Sequence, residues 1–232
     1  MVLVCSLLLS ITAATRLLIV SPHPDEGALA ASGLVAGVAR AGGTVRVVQM
    51  TSGDAFSEGA KKVDGTDRPT AEQYREYGRR REHETIAASR TLGVPATHIT
   101  FLGFPDDGLC LLASAYAATD FASPYTARTS PPPGERLLGD VEYRGGDVVR
   151  ELRKIIEEFK PTLVVVPAAT DQHPDHCSTH RFVVRALDAY RSQMLVIGEF
   201  MRMFETGRET FVEGEPSPSP ACWCRGENIA TP

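Results

Sequence analysis

The stretch LLIVSPHPDEG (residues 17–27) joins an apolar run directly to a histidine and two carboxylates. The run shows no polar alternation, which is typical of a strand that is buried on both faces of a parallel sheet. His23, Asp25 and Glu26 follow within four positions, where such a strand ends. From these residues alone, the cluster is either a polar turn that caps the next helix, or half of a metal site whose other half lies elsewhere.

A matching element follows a second apolar run, PTLVVVP (residues 161–167). The chain continues AATDQHPDHCSTH, which places His173, Asp175 and His176 just after this run and His180 one helical turn later. The carboxyl ends of parallel strands open onto one crevice, in which ligands bind. We therefore expect the two His-Pro-Asp elements to meet at the same edge of the sheet.

The residue types in these two elements fit a catalytic zinc site. Such a site takes three protein ligands, commonly two imidazoles and a carboxylate, and leaves a position for water. The metal lowers the pKa of that water to about 7, and a second carboxylate nearby can accept the proton. Asp25 and Glu26 are neighbours, so their side chains leave the backbone in different directions, and one can bind metal while the other faces the water.

The remaining pattern predicts an α/β fold, a Rossmann-like three-layer domain with a mostly parallel sheet. Apolar runs at 16–21, 44–50, 98–103 and 161–167 are the expected strands. Helical periodicity covers 26–42, 71–94 and 145–160, and a last helix is expected from about Thr179 to Arg191. Strands that alternate with helices favour right-handed crossovers. Two polar segments that are rich in turn-forming residues, 53–70 and 119–136, are predicted to be loops.

The boundaries of the domain follow from changes in composition. Residues 16–206 form the predicted α/β domain, and 207–232 lose all periodicity and are predicted to be an irregular tail. Residues 1–15 are an apolar N-terminal segment that resembles part of a secretory signal but lacks a basic start. The segment, which Arg16 follows, is too short to be predicted as a membrane span. Export and a cytoplasmic location both stay open, and we favour the cytoplasm.

The net charge, the cysteines and the absence of certain motifs argue against several classes of function. The net charge of −5 gives no electrostatic reason to expect binding to nucleic acid. The spacing of the five cysteines does not indicate a disulfide framework. The chain has no G-x-S-x-G elbow for a serine hydrolase and no G-x-G-x-x-G after the first strand for a dinucleotide. Composition leaves the oligomeric state open.

The paired motifs SPHPDE and HPDH resemble those of the PIG-L/LmbE-like family of zinc-dependent N-deacetylases, which act mainly on molecules that contain N-acetylglucosamine. The stretches TSGD, RREHETIAASRTLGV and ITFLGFPDDGL are also similar to that family. The resemblance extends from about Arg16 to Arg191. It implies a small-molecule amino-sugar substrate and a hydrolase that removes an acetyl group.

The resemblance also implies roles for the residues of the first motif and its partner. His23, Glu26 and His176 would bind the metal, with Zn²⁺ expected and another divalent ion such as Fe²⁺ as an alternative. Asp25 would be the general base. The family usually has Asp where this chain has Glu26, and the extra methylene moves the carboxylate by about one bond, where reaction geometry is unforgiving.

Further roles follow from the same resemblance. His173 would stabilise the oxyanion in its protonated form or protonate the leaving amine, and Asp175 would hold its ring. Arg81 and Asp106 would contact hydroxyl groups of the sugar. Without the resemblance, Arg81 belongs to a charged run that is by default a solvated helix face, and Asp106 to a turn that favours Asp for its own sake.

Two other functions stay open at this point. The first is a metal-dependent amidase that acts on another N-acyl compound. The second is a catalytically impaired, sugar-binding relative. Among the other histidines, His180 is expected at the surface or behind the ligands, while His83 and His98 are expected to be structural or solvated.

Overall fold

Four parallel strands form one sheet in the part of the chain that the structure, a computed structural model, describes: residues 11–135 and 137–187. Their order across the sheet is β3-β2-β1-β4. The strands are β1 (Arg16–Ser21), β2 (Thr44–Thr51), β3 (Ile99–Phe104) and β4 (Leu163–Val165). This parallel sheet with flanking helices confirms the predicted α/β fold, and the predicted strands lie where expected, with β4 shorter.

The apolar side chains of β1 pack on both faces of the sheet. Leu17 and Ile19 pack on one side with the first helix, while Leu18 and Val20 pack on the other side with the helices that follow β3 and precede β4. All four side chains are buried. Because neither face of the strand meets water, an unbroken apolar run is stable here and an alternating one is not.

Three of the four predicted helices lie where periodicity placed them, and two further helices form. The six α-helices of the described residues are α1 (Glu26–Arg40), α2 (Ser57–Asp64), α3 (Ala71–Thr91), α4 (Leu109–Ala113), α5 (Gly145–Phe159) and α6 (Pro174–Leu187). The prediction that 53–70 is a loop was wrong, because α2 forms within it and ends at Gly65, whose left-handed backbone (φ 63°) terminates the helix. The short helix α4 was not predicted.

The last helix begins earlier than predicted. α6 starts at Pro174, and not near Thr179, so His176 lies on the helix. Proline is favoured at the first helical position because its missing N–H has no partner there anyway, and Asp175 in the first turn interacts favourably with the helix dipole. The predicted end at Arg191 lies outside the described residues.

Other expectations concern the ends of the chain and the cysteines. Within the described ranges, no helix has both the length and the apolar character needed to cross a membrane. Most of the N-terminal segment and the whole tail 207–232 lie outside those ranges. Cys110 in α4 and Cys177 in α6 are buried and disulfide-bonded, which their spacing did not indicate.

The long segment between α4 and α5 is irregular, as predicted, and is attached to α5 by a buried carboxylate. Glu151 is fully buried, and its carboxylate accepts hydrogen bonds from the backbone N–H groups of Leu137 (3.0 Å) and Leu138 (2.7 Å). Burial raises the pKa of Glu151, and these two hydrogen bonds work in the opposite direction. The Glu151 side chain therefore fixes this part of the segment to α5.

This anchor predicts a measurable loss of stability. Replacing Glu151 by Ala leaves two backbone N–H groups without an acceptor, so we expect the free energy of unfolding to fall by about 2 kcal/mol. Urea denaturation, monitored by circular dichroism, measures this change in the free energy of unfolding. The matched control is Glu157→Ala on the exposed side of the same helix, which should change stability by less than about 0.5 kcal/mol. Equal effects of the two variants would contradict the anchor.

Candidate metal centre

The loop after β1 contains two prolines, whose carbonyls are held by neighbouring elements. Pro22 O accepts hydrogen bonds from the backbone N–H (3.1 Å) and hydroxyl (2.8 Å) of Thr51. Pro24 O accepts from the Thr85 hydroxyl (2.7 Å) and from the Gln49 amide (3.4 Å). Since buried carbonyls need such partners, strand β2 and helix α3 together fix the backbone on both sides of the histidine between the prolines.

One carboxylate oxygen of Glu26 lies between two imidazoles. Oε1 is 2.8 Å from Nδ1 of His23 and 2.5 Å from Nε2 of His176. The centroids of the two rings are 5.3 Å apart. His23 follows β1, Glu26 is the first residue of α1, and His176 lies in the first turn of α6. The structure thus brings together the two His-Pro-Asp elements from opposite ends of the domain.

The other nitrogen of each imidazole also faces a carboxylate. His23 Nε2 is 3.1 Å from Asp106 and 3.6 Å from Asp175, and His176 Nδ1 is 2.9 Å from Asp171. Histidines that bind metals usually donate their second N–H to a carboxylate, which fixes the tautomer and the ring orientation. If each histidine donates its far N–H to that carboxylate, the nitrogen that faces Glu26 is the one that would bind a cation in place of its proton.

The charges of Glu26, His23 and His176 shift one another's pKa. Burial by itself would raise the pKa of Glu26, but hydrogen bonds and charges from His176 and His23 lower it to about 2. Burial disfavours charged imidazoles as well, yet the surrounding carboxylates raise the pKa of both His23 and His176. A half-buried carboxylate between two imidazoles is chemically suited to a divalent cation, which would replace the imidazole protons.

Two clusters within residues 11–135 and 137–187 bring ligand-type atoms within 4.8 Å of one another. One is formed by His23, His173 and His176, and the other by His23, Asp106 and Asp175. In the second cluster both carboxylates already accept hydrogen bonds from backbone N–H groups. The first cluster, with Glu26 beside it, has the nitrogen and oxygen donors that zinc binds, so these residues fit a zinc or similar divalent ion.

His173 differs from the other two imidazoles. The residue lies at the surface with its ring partly covered, and the ring centroid lies 4.9 Å from that of His23 and 4.7 Å from that of His176. Burial and the positive charge of His23 lower its pKa. Its Nδ1 accepts a hydrogen bond from the backbone N–H of Asp175 (3.2 Å). A neutral ring that accepts at Nδ1 carries its proton on Nε2, so the protonated ring that we expected is not needed for it to donate.

Asp175 was expected to hold the His173 ring, and the contact that the structure shows comes from its backbone N–H, while its side chain binds elsewhere. The carboxylate is fully buried and accepts hydrogen bonds from the backbone N–H groups of Asp107 (2.7 Å) and Leu109 (3.0 Å). Only the backbone N–H of Asp175 contacts the ring. Its side chain joins the start of α6 to the turn before α4, and so holds two loops of the site together.

Asp25 and Arg81 lie at the open side of the cluster. The Asp25 side chain is 56% exposed, and its Oδ1 accepts a hydrogen bond from Nη2 of Arg81 at 2.9 Å. Asp25 occupies the N-cap position of α1, but its side chain makes no capping hydrogen bond. Arg81 is not the solvated helix residue that its charged run indicates, since its side chain is only 14% exposed.

Asp106 lies behind His23, with its carboxylate already engaged. Besides His23, it accepts hydrogen bonds from the backbone N–H groups of Ala55 (2.7 Å) and Asp107 (3.1 Å), and the residue is 6% exposed. Contact with sugar hydroxyls stays a prediction for Asp106. Its observed partners favour a role in orienting His23.

The other histidines lie outside the cluster, and one aspartate that contacts the cluster was not predicted. His180 was expected at the surface or behind the ligands; it is buried, and its Nδ1 lies 3.0 Å from the carbonyl oxygen of Pro167. His98 contacts the carbonyl of Val45 at 3.0 Å, and His83 is exposed. The sequence analysis missed Asp171, the partner of His176. The available signal was its position in the loop between β4 and α6.

Comparison with known proteins gives consistent matches. The family model described as "PIG-L: GlcNAc-PI de-N-acetylase" matches residues 18–187. A "1D-myo-inositol 2-acetamido-2-deoxy-alpha-D-glucopyranoside deacetylase" of Mycobacterium sp. (strain KMS) is 29% identical over 185 residues, which are 77% of this chain and 52% of the relative. A "1D-myo-inositol 2-acetamido-2-deoxy-alpha-D-glucopyranoside deacetylase 1" of Saccharopolyspora erythraea is 31% identical over 184 residues, 77% of this chain and 55% of the relative.

Solved structures of deacetylases are also similar to this chain. The "zinc inhibited form of teicoplanin deacetylase Orf2" is 26% identical with a TM-score of 0.50, and the match covers 76% of this chain and 65% of that one. A "deacetylase-teicoplanin complex" is 25% identical with a TM-score of 0.51, covering 76% and 67%. The chain spans about half the length of the curated relatives that it matches. On the extent of the family match and the sheet it shares with these structures, the chain belongs to the PIG-L family.

Proposed function

We propose that this protein is a metal-dependent N-deacetylase that hydrolyses the acetamide of an N-acetylglucosamine-type amino sugar or its conjugate. The observation that carries the proposal is the Glu26 oxygen between the imidazoles of His23 and His176, with a second carboxylate, Asp25, adjacent in sequence. Relatives and structural neighbours named as deacetylases support the reaction class. The amino sugar in the names of the curated relatives supports the substrate class.

His23, Glu26 and His176 would hold the metal, for which zinc is the best candidate. When bound, such an ion polarises a carbonyl and lowers the pKa of a water molecule to about 7. His23 and His176 are oriented for this by the carboxylates on their far nitrogens. The longer side chain of Glu26 does not prevent the contact, because its Oε1 reaches both rings.

The chain's own residues supply the proton transfers. Asp25 takes a proton from the attacking water, and its exposed position leaves room for that water. His173, neutral with its proton on Nε2, donates a hydrogen bond to the acetyl oxygen as negative charge develops there. When the carbon–nitrogen bond breaks, the proton held by Asp25 passes to the departing amine. The products are acetate and the free amino sugar.

The ligand role of His176 predicts loss of metal. His176→Ala removes one of three ligands, so zinc measured by mass spectrometry after dialysis should fall from about one per chain to near zero. The control His83→Ala changes an exposed histidine on α3 and should retain the zinc. Undiminished zinc in the His176 variant would refute the ligand assignment.

The role of Asp25 predicts the opposite combination. Asp25→Ala removes a base and not a ligand, so we expect the variant to retain zinc while kcat falls by about 100- to 10,000-fold. Asp67→Ala, at an exposed position, serves as the control and should keep both. If zinc leaves together with activity in the Asp25 variant, the residue is a ligand and our division of roles is wrong.

The reaction itself is tested by substrate and by metal removal. Released acetate should be detectable with N-acetylglucosamine glycosides, should vanish after treatment with a chelator, and should return when zinc is added back. A matched panel of N-acetyl amino acids separates the amino-sugar deacetylase from a general amidase. Acetate release from the amino acids alone would replace the proposed substrate class. If metal binds but no member of the panel is hydrolysed, the proposed deacetylase activity is refuted for these substrates.

A further inference from the structure

The Asp25 carboxylate is held by one side chain in the described part of the chain. Nη2 of Arg81 donates to its Oδ1 at 2.9 Å, while Nη1 of the same guanidinium donates to the carbonyl oxygen of Gly53 at 2.8 Å. Asp25 is more than half exposed and its side chain does not cap α1. An exposed carboxylate with a single partner depends on that partner for its orientation, because its other rotamers are accessible to water.

The backbone at Gly53 is shaped to accommodate this guanidinium. Gly53 has a φ of +64°, and a Cβ at this position would lie 1.9 Å from Nη1 and 2.5 Å from Cζ of Arg81. It would also lie 2.9 Å from Cδ of Pro24, in the loop that precedes Asp25. Only glycine leaves room here for the guanidinium to pass between β2 and the His23 loop. The guanidinium of Arg81 is therefore fixed by two contacts, one with the backbone carbonyl of Gly53 and one with the carboxylate of Asp25.

We propose that Arg81 is a positioning residue that holds Asp25 in the orientation required of the general base. This goes beyond the contact with sugar hydroxyls that the family resemblance implies for Arg81, and it rests on the proposed function. Arg81 ties one oxygen of Asp25 to the fixed carbonyl of Gly53 and leaves the other oxygen to accept the proton. The planar guanidinium suits this task because its two outer nitrogens diverge toward two acceptors in a fixed geometry.

Steady-state kinetics distinguish positioning from substrate binding. Arg81→Gln should lower kcat by about 100-fold, the usual cost of misplacing a catalytic group by about 1 Å, with KM near the wild-type value. Arg81→Lys should recover only part of the loss, because a single ammonium cannot bridge both acceptors. Arg80→Gln, an exposed neighbour on the same helix, is the matched control and should behave as wild type. A raised KM with unchanged kcat would overturn the proposal in favour of substrate contact.

A double-mutant cycle tests whether Arg81 acts through Asp25. In an Asp25→Asn background the base is already lost, so adding Arg81→Gln should reduce the residual rate little further. If the two losses multiply instead, Arg81 acts independently of Asp25 and the proposal fails. Zinc content should stay unchanged in the single Arg81 variants, since the arginine contacts none of the proposed ligands.

A crystal structure of the Arg81→Gln variant tests the arrangement without any activity measurement. We expect the Asp25 carboxylate to be disordered or rotated, while His23 and Glu26 stay in place. An ordered Asp25 in its original orientation would overturn the positioning role. If the wild type hydrolyses none of the amides tested, the proposed function fails, and this structural result still decides whether Arg81 orients the carboxylate.

Discussion

The parallel pairing of β1 with β4 is the contact on which the candidate site depends. The chain leaves β1 toward one edge of the sheet through β2 and β3, and β4 then pairs on the opposite side of β1. Only three residue pairs, from Leu17–Leu163 to Ile19–Val165, make this pairing. Such a change of direction leaves a crevice at the carboxyl ends of the two strands. Both His-Pro-Asp elements follow these strand ends, so the histidines meet because the strands do.

The sheet was predictable from sequence because its strands are buried on both faces. β1 was predicted without error, and the ends of β2 and β3 to within one residue. A short, unbroken apolar run is typical of a strand that is buried on both faces of a parallel sheet. The helix α2 was not predicted, because it buries only Ala60 and is too short to show a period. The start of α6 was predicted near Thr179, whereas the helix begins at Pro174, a first helical position that proline favours.

The site was predictable in residue type and location but not in its hydrogen bonds. The paired motifs predicted which histidines meet, yet Asp171 and Asp106, the carboxylates behind them, come from two separate loops. Nothing in a linear sequence says which aspartate reaches which nitrogen. The same limit applies to Arg81, whose charged neighbours predicted a solvated helix face. Its low exposure arises because α3 lies across the loop after β1, where the Thr85 hydroxyl binds the Pro24 carbonyl.

Asp25 and Glu26 acquire opposite environments although they are adjacent. Asp25 ends the loop as N-cap residue and faces solvent, whereas Glu26 begins the helix and turns toward the imidazoles of His23 and His176. Those rings outweigh the effect of burial and hold the pKa of Glu26 near 2, so its carboxylate is ionised throughout the neutral range. A cation that binds here therefore displaces protons only from the imidazoles, and its affinity should fall as these become protonated. The extra methylene of Glu26 relative to Asp therefore does not keep its carboxylate from the two imidazoles, which its Oε1 contacts at 2.8 and 2.5 Å.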